Sequence, residues 1–209
     1  RPASREAAPG GAAPAPPPAP HQLFERALAL SEADPAGAAA LFLDAFRADP
    51  GMALAAYDAG VLLERIGEPG LASEAYRQAL AAAPDLEPAS LNLTRLRLRA
   101  GRVAEAEADL RARLAAHPEA PGLRNQLTEV LLAAGRLPAA EQEARQVLKS
   151  NEHDVPAMVN LATAWHRQGR HELGRLVLEN ARQGAPGDSV GWNRLGVVGL
   201  GLGTRAPAL

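Results

Sequence analysis

Residues 159–186 read VNLATAWHRQGRHELGRLVLENARQGAP. Apolar positions recur at helical spacing on both sides of Gly169, so the stretch reads as two amphipathic helices joined by a turn. Gly169 lies 34 residues after Gly135, which follows Gly101 and Gly67 at the same interval, and Gly203 stands one interval further on. A glycine just past a helical pattern can end a helix in the left-handed conformation without a side-chain clash.

Three other series share the period. Small residues recur at Ala38, Ala72, Ala106, Ala140, Gly174 and Ala208, where a second helix opens and must approach the first closely. Pro50, Pro84, Pro118 and Pro186, interrupted by Glu152, follow second helices that a proline cannot continue. Leu93, Leu127, Leu161 and Leu195 fall on the inner face of first helices. No strand-like alternation extends over a comparable length. Independent series with one period define an internal repeat.

A helix–turn–helix unit of 34 residues with this order of Leu, small residue, Gly, Ala and Pro resembles the tetratricopeptide repeat. The likeness is clearest in NLATAWHRQGRHELG at 160–174 and WNRLGVVGLGLG at 192–203. The resemblance implies an all-α, right-handed superhelical solenoid over residues 21–209. Its repeats would run about 21–52, 53–86, 87–120, 121–154 and 155–188, with a partial repeat at 189–209. The first repeat keeps Ala38, Phe42, Ala45 and Pro50, but its first helix is one residue out of register. Arg113 and Val147 stand where a small residue is expected, which predicts less regular packing from the third to the fifth repeat.

Outside the repeats, residues 1–20 contain seven Pro, seven Ala and two Gly. Clustered prolines favour extended polyproline II, and little here offsets the entropy of ordering. The segment reads as an extended tether that carries no part of the core. The sequence starts at Arg1 rather than Met. That start gives the expectation of a fragment or processed product, with a signal sequence or lipid anchor upstream. At the other end, Trp192 and Leu195 are expected to pack inward, leaving Val197, Val198, Leu200 and Leu202 for a continuing chain or a partner to cover.

The 209 residues are 47% hydrophobic but only 3% aromatic, so alanine supplies much of the apolar content. A formal net charge of −2 gives no basic surface of the kind that binds nucleic acid or anionic lipid. Arginine outnumbers lysine 21 to one, Lys149 being the single lysine, a bias typical of a GC-rich genome. No apolar run approaches the roughly 18 residues of a membrane span. Without cysteine there is no disulfide, thiolate metal site or cysteine nucleophile.

No catalytic or metal-binding motif stands out in the sequence. His166 and His171 straddle the Gly169 turn and do not share one helical face as an HxxxH pair would, and HELGR at 171–175 lacks the second histidine of a zincin helix. GVVGLGLGT at 196–204 is in register with the repeat rather than between a strand and a helix, so it does not read as a phosphate loop. The serines have no GxSxG setting, and Asn92-Leu93-Thr94, a glycosylation triplet, falls inside a helix. Arg95, Arg97, Arg99 and Arg102 end one helix and are followed at once by Glu105, Glu107 and Asp109, with no interleaved aromatics. The expectation is a non-enzyme without cofactor or metal.

In the family, the first helices line a concave surface that binds an extended peptide or helix. The resemblance carries this onto Tyr57, Asp58, Asn92, Arg95, Arg99, Asn125, Gln126, Glu129, Asn160, Thr163, His166, Arg167, Asn193 and Arg194. A side-chain amide recurs in four consecutive first helices there, able to donate to and accept from a peptide backbone. The chaperone-docking members hold a terminal carboxylate with a Lys/Asn/Arg set, and the first helices here contain no lysine. The expected function is a protein-binding scaffold without affinity for nucleic acid. The tether and composition resemble bacterial envelope members, including pilotin-like lipoproteins of pilus and secretion assembly on the periplasmic side of the outer membrane. The alternatives are a cytoplasmic adaptor or co-chaperone and the repeat module of a larger enzyme.

Overall fold

The computed structural model describes residues 18–184, with the side chains of residues 183 and 184 left out. Among the described residues there are ten helices and no strand. They are α1 (Pro20–Leu30), α2 (Pro35–Ala48), α3 (Ala53–Arg65), α4 (Pro69–Ala82), α5 (Glu87–Arg99), α6 (Val103–Ala116), α7 (Pro121–Ala133), α8 (Leu137–Ser150), α9 (Val155–Arg167) and α10 (His171–Gly184). The chain falls into two compact units, one up to Pro84 and one from Asp85. The first helix opens at Pro20, the last residue of the stretch read as a tether; residues 1–17 lie outside the description, as does the partial repeat at 189–209.

Prolines mark the starts, occupying one of the first two positions of α1, α2, α4, α5, α7, α8 and α9, where the missing N–H has no intrahelical partner to lose. The stops explain the 34-residue glycine series. Gly67, Gly101, Gly135 and Gly169 have φ of 81°, 71°, 72° and 80°. Each is followed by an N–H that donates back five residues: Glu68 to Leu63, Arg102 to Arg97, Arg136 to Leu131 and Arg170 to Trp165, at 2.8–2.9 Å. This is the Schellman closure, and it requires a left-handed residue at the glycine. A Cβ at any of the four would meet nothing within 4 Å, so conformation rather than space selects glycine.

The first hairpin turns differently. No glycine follows α1; Asp34 instead accepts from Gly37 N at 2.9 Å and caps α2. Inside unit 1, Phe24 and Phe42 meet edge to face with ring centroids 5.0 Å apart, and Tyr76 packs fully buried against Gly60. In unit 2, Leu110, Leu127, Val130, Leu131 and Ala140 form the main core, and Leu161, Trp165 and Ala144 a smaller cluster beside it.

The predicted irregularity is confined to one hairpin. Helices α5 and α6 approach each other least closely of the five pairs. Arg113 stands where Ala45, Ala79 and Ala181 are buried in other repeats, and its guanidinium reaches Ser90 Oγ across the gap. Val147, by contrast, is only 2% exposed, and α7 and α8 close normally around it.

Candidate functional site on the first helices

The first helices of unit 2 are α5, α7 and α9, and hydrogen bonds run between them at repeat spacing. Asn160 Nδ2 donates to the Asn125 carbonyl at 3.3 Å, and Arg167 Nη1 donates to the Leu132 carbonyl at 2.8 Å. Gln126 Oε1 accepts from Ser90 Oγ at 2.8 Å and Thr94 Oγ1 at 3.4 Å. Asn125 Nδ2 donates to Asp154 Oδ1 at 3.0 Å, and that same oxygen accepts from Ala157 N at 2.9 Å, capping α9. Thr163 Oγ1 donates to its own helix at Val159 O.

These contacts revise the expected surface. Asn125, Gln126, Asn160 and Thr163 are buried, between 3% and 7% exposed. The amides of Asn125, Gln126 and Asn160 link consecutive first helices, the Thr163 hydroxyl bonds within α9, and none of the four is presented to solvent. Residues one period apart on neighbouring first helices lie directly across a seam, so a polar residue there finds a partner inside the fold. Asn92 and Glu129 are half-buried and Arg95 and Arg99 exposed, and all four are engaged in polar contacts. Asn193 and Arg194 lie outside the described residues.

His166 and His171 are brought together. The Gly169 turn places the rings edge to face, 4.4 Å between centroids, with Nδ1 to Nδ1 at 3.0 Å. The two do not share a single helical face, as expected; instead two helices contribute one ring each. Among the described residues no group of three or more metal-ligating side chains assembles.

Unit 1 supplies a different surface on α3. Leu54 and Val61 are 57% and 38% exposed, and Asp58 lies between them, so residues 54, 58 and 61 form one stripe at helical spacing. Asp58 is half-buried, and burial raises its carboxyl above the ordinary aspartate value. Among the described residues it has neither a hydrogen bond nor an ion pair. Tyr57, next to it, packs on Tyr76 with centroids 5.8 Å apart. The sequence reading names Tyr57 and Asp58 and does not include Leu54 and Val61. The available signal was the surplus of apolar positions in ALAAYDAGVLLER, more than one buried face can take.

A pocket of about 250 Å3 lies in unit 2 between the start of α5, the end of α6 and the start of α7, lined by Asp85, Glu87, Arg113, His117 and Leu123. Burial lowers the Arg113 pKa against the opposing pull of Asp109 and Asp85. The cation is therefore already matched by acids of its own unit.

Two tetratricopeptide repeat family models match the chain, over residues 22–87 and 97–164, together well over half of it. The chain belongs to the tetratricopeptide repeat family. Its fold is similar to that of TTC0263, a thermophilic repeat protein of Thermus thermophilus, at 19% identity and a TM-score of 0.62, covering 86% of this chain and 98% of that one. MamA from Desulfovibrio magneticus RS-1 aligns at 14% identity and a TM-score of 0.62, covering 81% and 97%. YrrB, described as a repeat protein with an unusual peptide-binding site, aligns at 18% and 0.56, covering 83% and 90%. No curated protein matches the sequence. These likenesses support the all-helical repeat fold expected from the 34-residue period.

Proposed function

From membership of this family and from the stripe on α3, we propose that the chain is a non-catalytic scaffold that binds a peptide or helix of a partner protein through the exposed face of its first helices. The observation that carries the reading is Asp58, a half-buried carboxylate without a partner among the described residues, flanked by exposed Leu54 and Val61. Leaving a carboxylate partly desolvated costs stability, and neighbouring apolar side chains gain by being covered. A partner that brings a cation to Asp58 and apolar groups to the leucine and valine relieves both. The peptide-binding description of YrrB, a fold relative, supports the same class of function.

A place in the bacterial envelope, in pilus or secretion assembly, is the finer part of the proposal. It rests on the Pro/Ala-rich residues 1–20 and the arginine-rich composition. Fractionation of the native protein tests it separately; recovery in the cytoplasm would favour an adaptor.

The binding reading is tested by selecting peptides from a displayed random library on the full chain. The selected peptides should carry a basic residue flanked by apolar ones, and Leu54→Asp with Val61→Asp should abolish their binding while helicity stays unchanged. Selected peptides that bind the double variant as tightly as the original protein would remove α3 from the site.

A further inference from the structure

We propose that His166 and His171 form a bidentate site for a divalent transition metal ion, Cu2+ or Ni2+ ahead of Zn2+, which clips the end of α9 to the start of α10. The site is independent of the peptide-binding reading. Its geometry is set by the turn: Gly169 at φ 80° and the Arg170 N–H to Trp165 carbonyl bond of 2.8 Å hold the two rings on one side of the hairpin. With metal–nitrogen bonds of about 2.0–2.1 Å, nitrogens 3.0 Å apart subtend roughly 90–97° at a shared ion. That is the cis angle of square-planar and octahedral coordination, the geometries of Cu2+ and Ni2+, whereas a tetrahedral ion would want the nitrogens about 3.3–3.4 Å apart.

The protons balance. In the hydrogen-bonded pair one ring carries its proton on Nδ1 and donates it to the other Nδ1. Moving that proton to Nε2 of the same ring frees both Nδ1 lone pairs, so the neutral pair takes up the ion without net proton release. His171 is exposed and His166 half-buried, so the first ring can rotate toward the ion while the second is held. No third histidine or carboxylate joins them among the described residues, which leaves the remaining positions to water. The sequence contains three more histidines, His21, His117 and His153, which serve as internal controls.

The experiment titrates the untagged 209-residue chain with NiCl2 or CuCl2 in a non-coordinating buffer at neutral pH. It follows the thermal midpoint and, for Cu2+, the loss of imidazole NMR signals. The expected result is one ion per chain, broadening of His166 and His171 before the other histidines, and a midpoint raised by about 5 °C at saturation. His166→Gln and His171→Gln should each weaken binding at least about tenfold, since loss of one ring of a chelate leaves a single imidazole. Their circular dichroism reports whether the hairpin has survived, and His117→Gln should bind like the original chain. ZnCl2 should bind more weakly than CuCl2. Equal affinity in the original chain and in a folded His166→Gln or His171→Gln variant would overturn the proposal and leave the pair as a hydrogen bond only.

Discussion

The ring of Tyr76 occupies the space that a side chain at residue 60 would need: a Cβ on Gly60 would lie 2.5 Å from Cε1 and 2.7 Å from Cδ1. Tyr76 is fully buried, and its hydroxyl donates to Glu64 Oε1 at 2.8 Å, so the ring cannot swing aside without losing that bond. Gly60→Ala should therefore destabilise by about 1–2 kcal/mol, overpacking exceeding the gain in helix propensity. Gly70→Ala, with nothing within 4 Å, should be neutral or stabilising. Gly67→Ala should cost about 1–2 kcal/mol despite the open space, because of its left-handed backbone. Urea melts of the three variants separate the effects; equal stability of Gly60→Ala and Gly70→Ala would mean that the Tyr76 contact yields.

Asp154 has two tasks where Asp34 has one. Both cap a helix, but Asp154 Oδ1 also receives the Asn125 amide. Losing a cap costs about 1 kcal/mol. Asp154→Ala should exceed Asp34→Ala by roughly another 1 kcal/mol, because the buried Asn125 amide then has no acceptor. A thermal melt of each variant decides; equal losses would show that Asn125 finds another partner.

The amides of the seam should behave as structural residues. Asn160→Ala removes the donor to the Asn125 carbonyl inside a closed interface, so a loss of about 1–3 kcal/mol is expected. Stability and peptide affinity need to be measured on the same sample. Unchanged stability with reduced affinity would return Asn160 to the binding surface.

What the sequence made legible was whatever repeats. Four glycines share one backbone task and four small residues one packing task, so their period exposed the hairpins. The site was less legible because the same period misleads about exposure. Asn125 and Asn160 read as a polar surface ladder, but one repeat of displacement along neighbouring helices brings them into mutual reach. The His166–His171 contact crosses a turn, and a rule based on one helical face does not see it. Leu54 and Val61 were hidden by an α3 that is apolar on most sides, where periodicity cannot tell core from surface.

Asp58 should be costly to the fold when charged. Burial raises its carboxyl pKa, so the folded chain holds that proton more readily than the unfolded one. Stability then falls as pH rises from the ordinary aspartate range through the raised value. Asp58→Asn should be more stable than the original at neutral pH, with the advantage fading as pH falls through the raised value and largely gone below about 4. Selected peptides with a basic residue should bind the variant less tightly at neutral pH. A variant with unchanged stability and affinity would show that Asp58 is well solvated and takes no part in recognition.

Glu141 presents the opposite sign. Burial works to raise its carboxyl pKa, but the Trp165 indole and Gln168 amide directed at it, with Arg145 at 2.8 Å and Arg170 at 3.2 Å, outweigh burial and hold it below the ordinary glutamate value. The indole Nε1 is buried and directed at this carboxylate without completing a well-formed hydrogen bond. The two guanidinium groups also lie over the Trp165 ring, 5.5 and 4.9 Å from its centroid, so the carboxylate balances cations that the aromatic face gathers. The unfolded chain therefore takes up the Glu141 proton at higher pH than the folded chain. The stabilisation is complete above about pH 5 and is lost as pH falls through the lower folded value. Glu141→Gln keeps the shape and removes the charge, so its deficit relative to the original chain should be constant from about pH 5 to 8 and shrink below about pH 4. Thermal midpoints of the two chains across that range test it. A deficit that persists unchanged to about pH 3 would mean that geometry rather than charge at residue 141 supports Trp165.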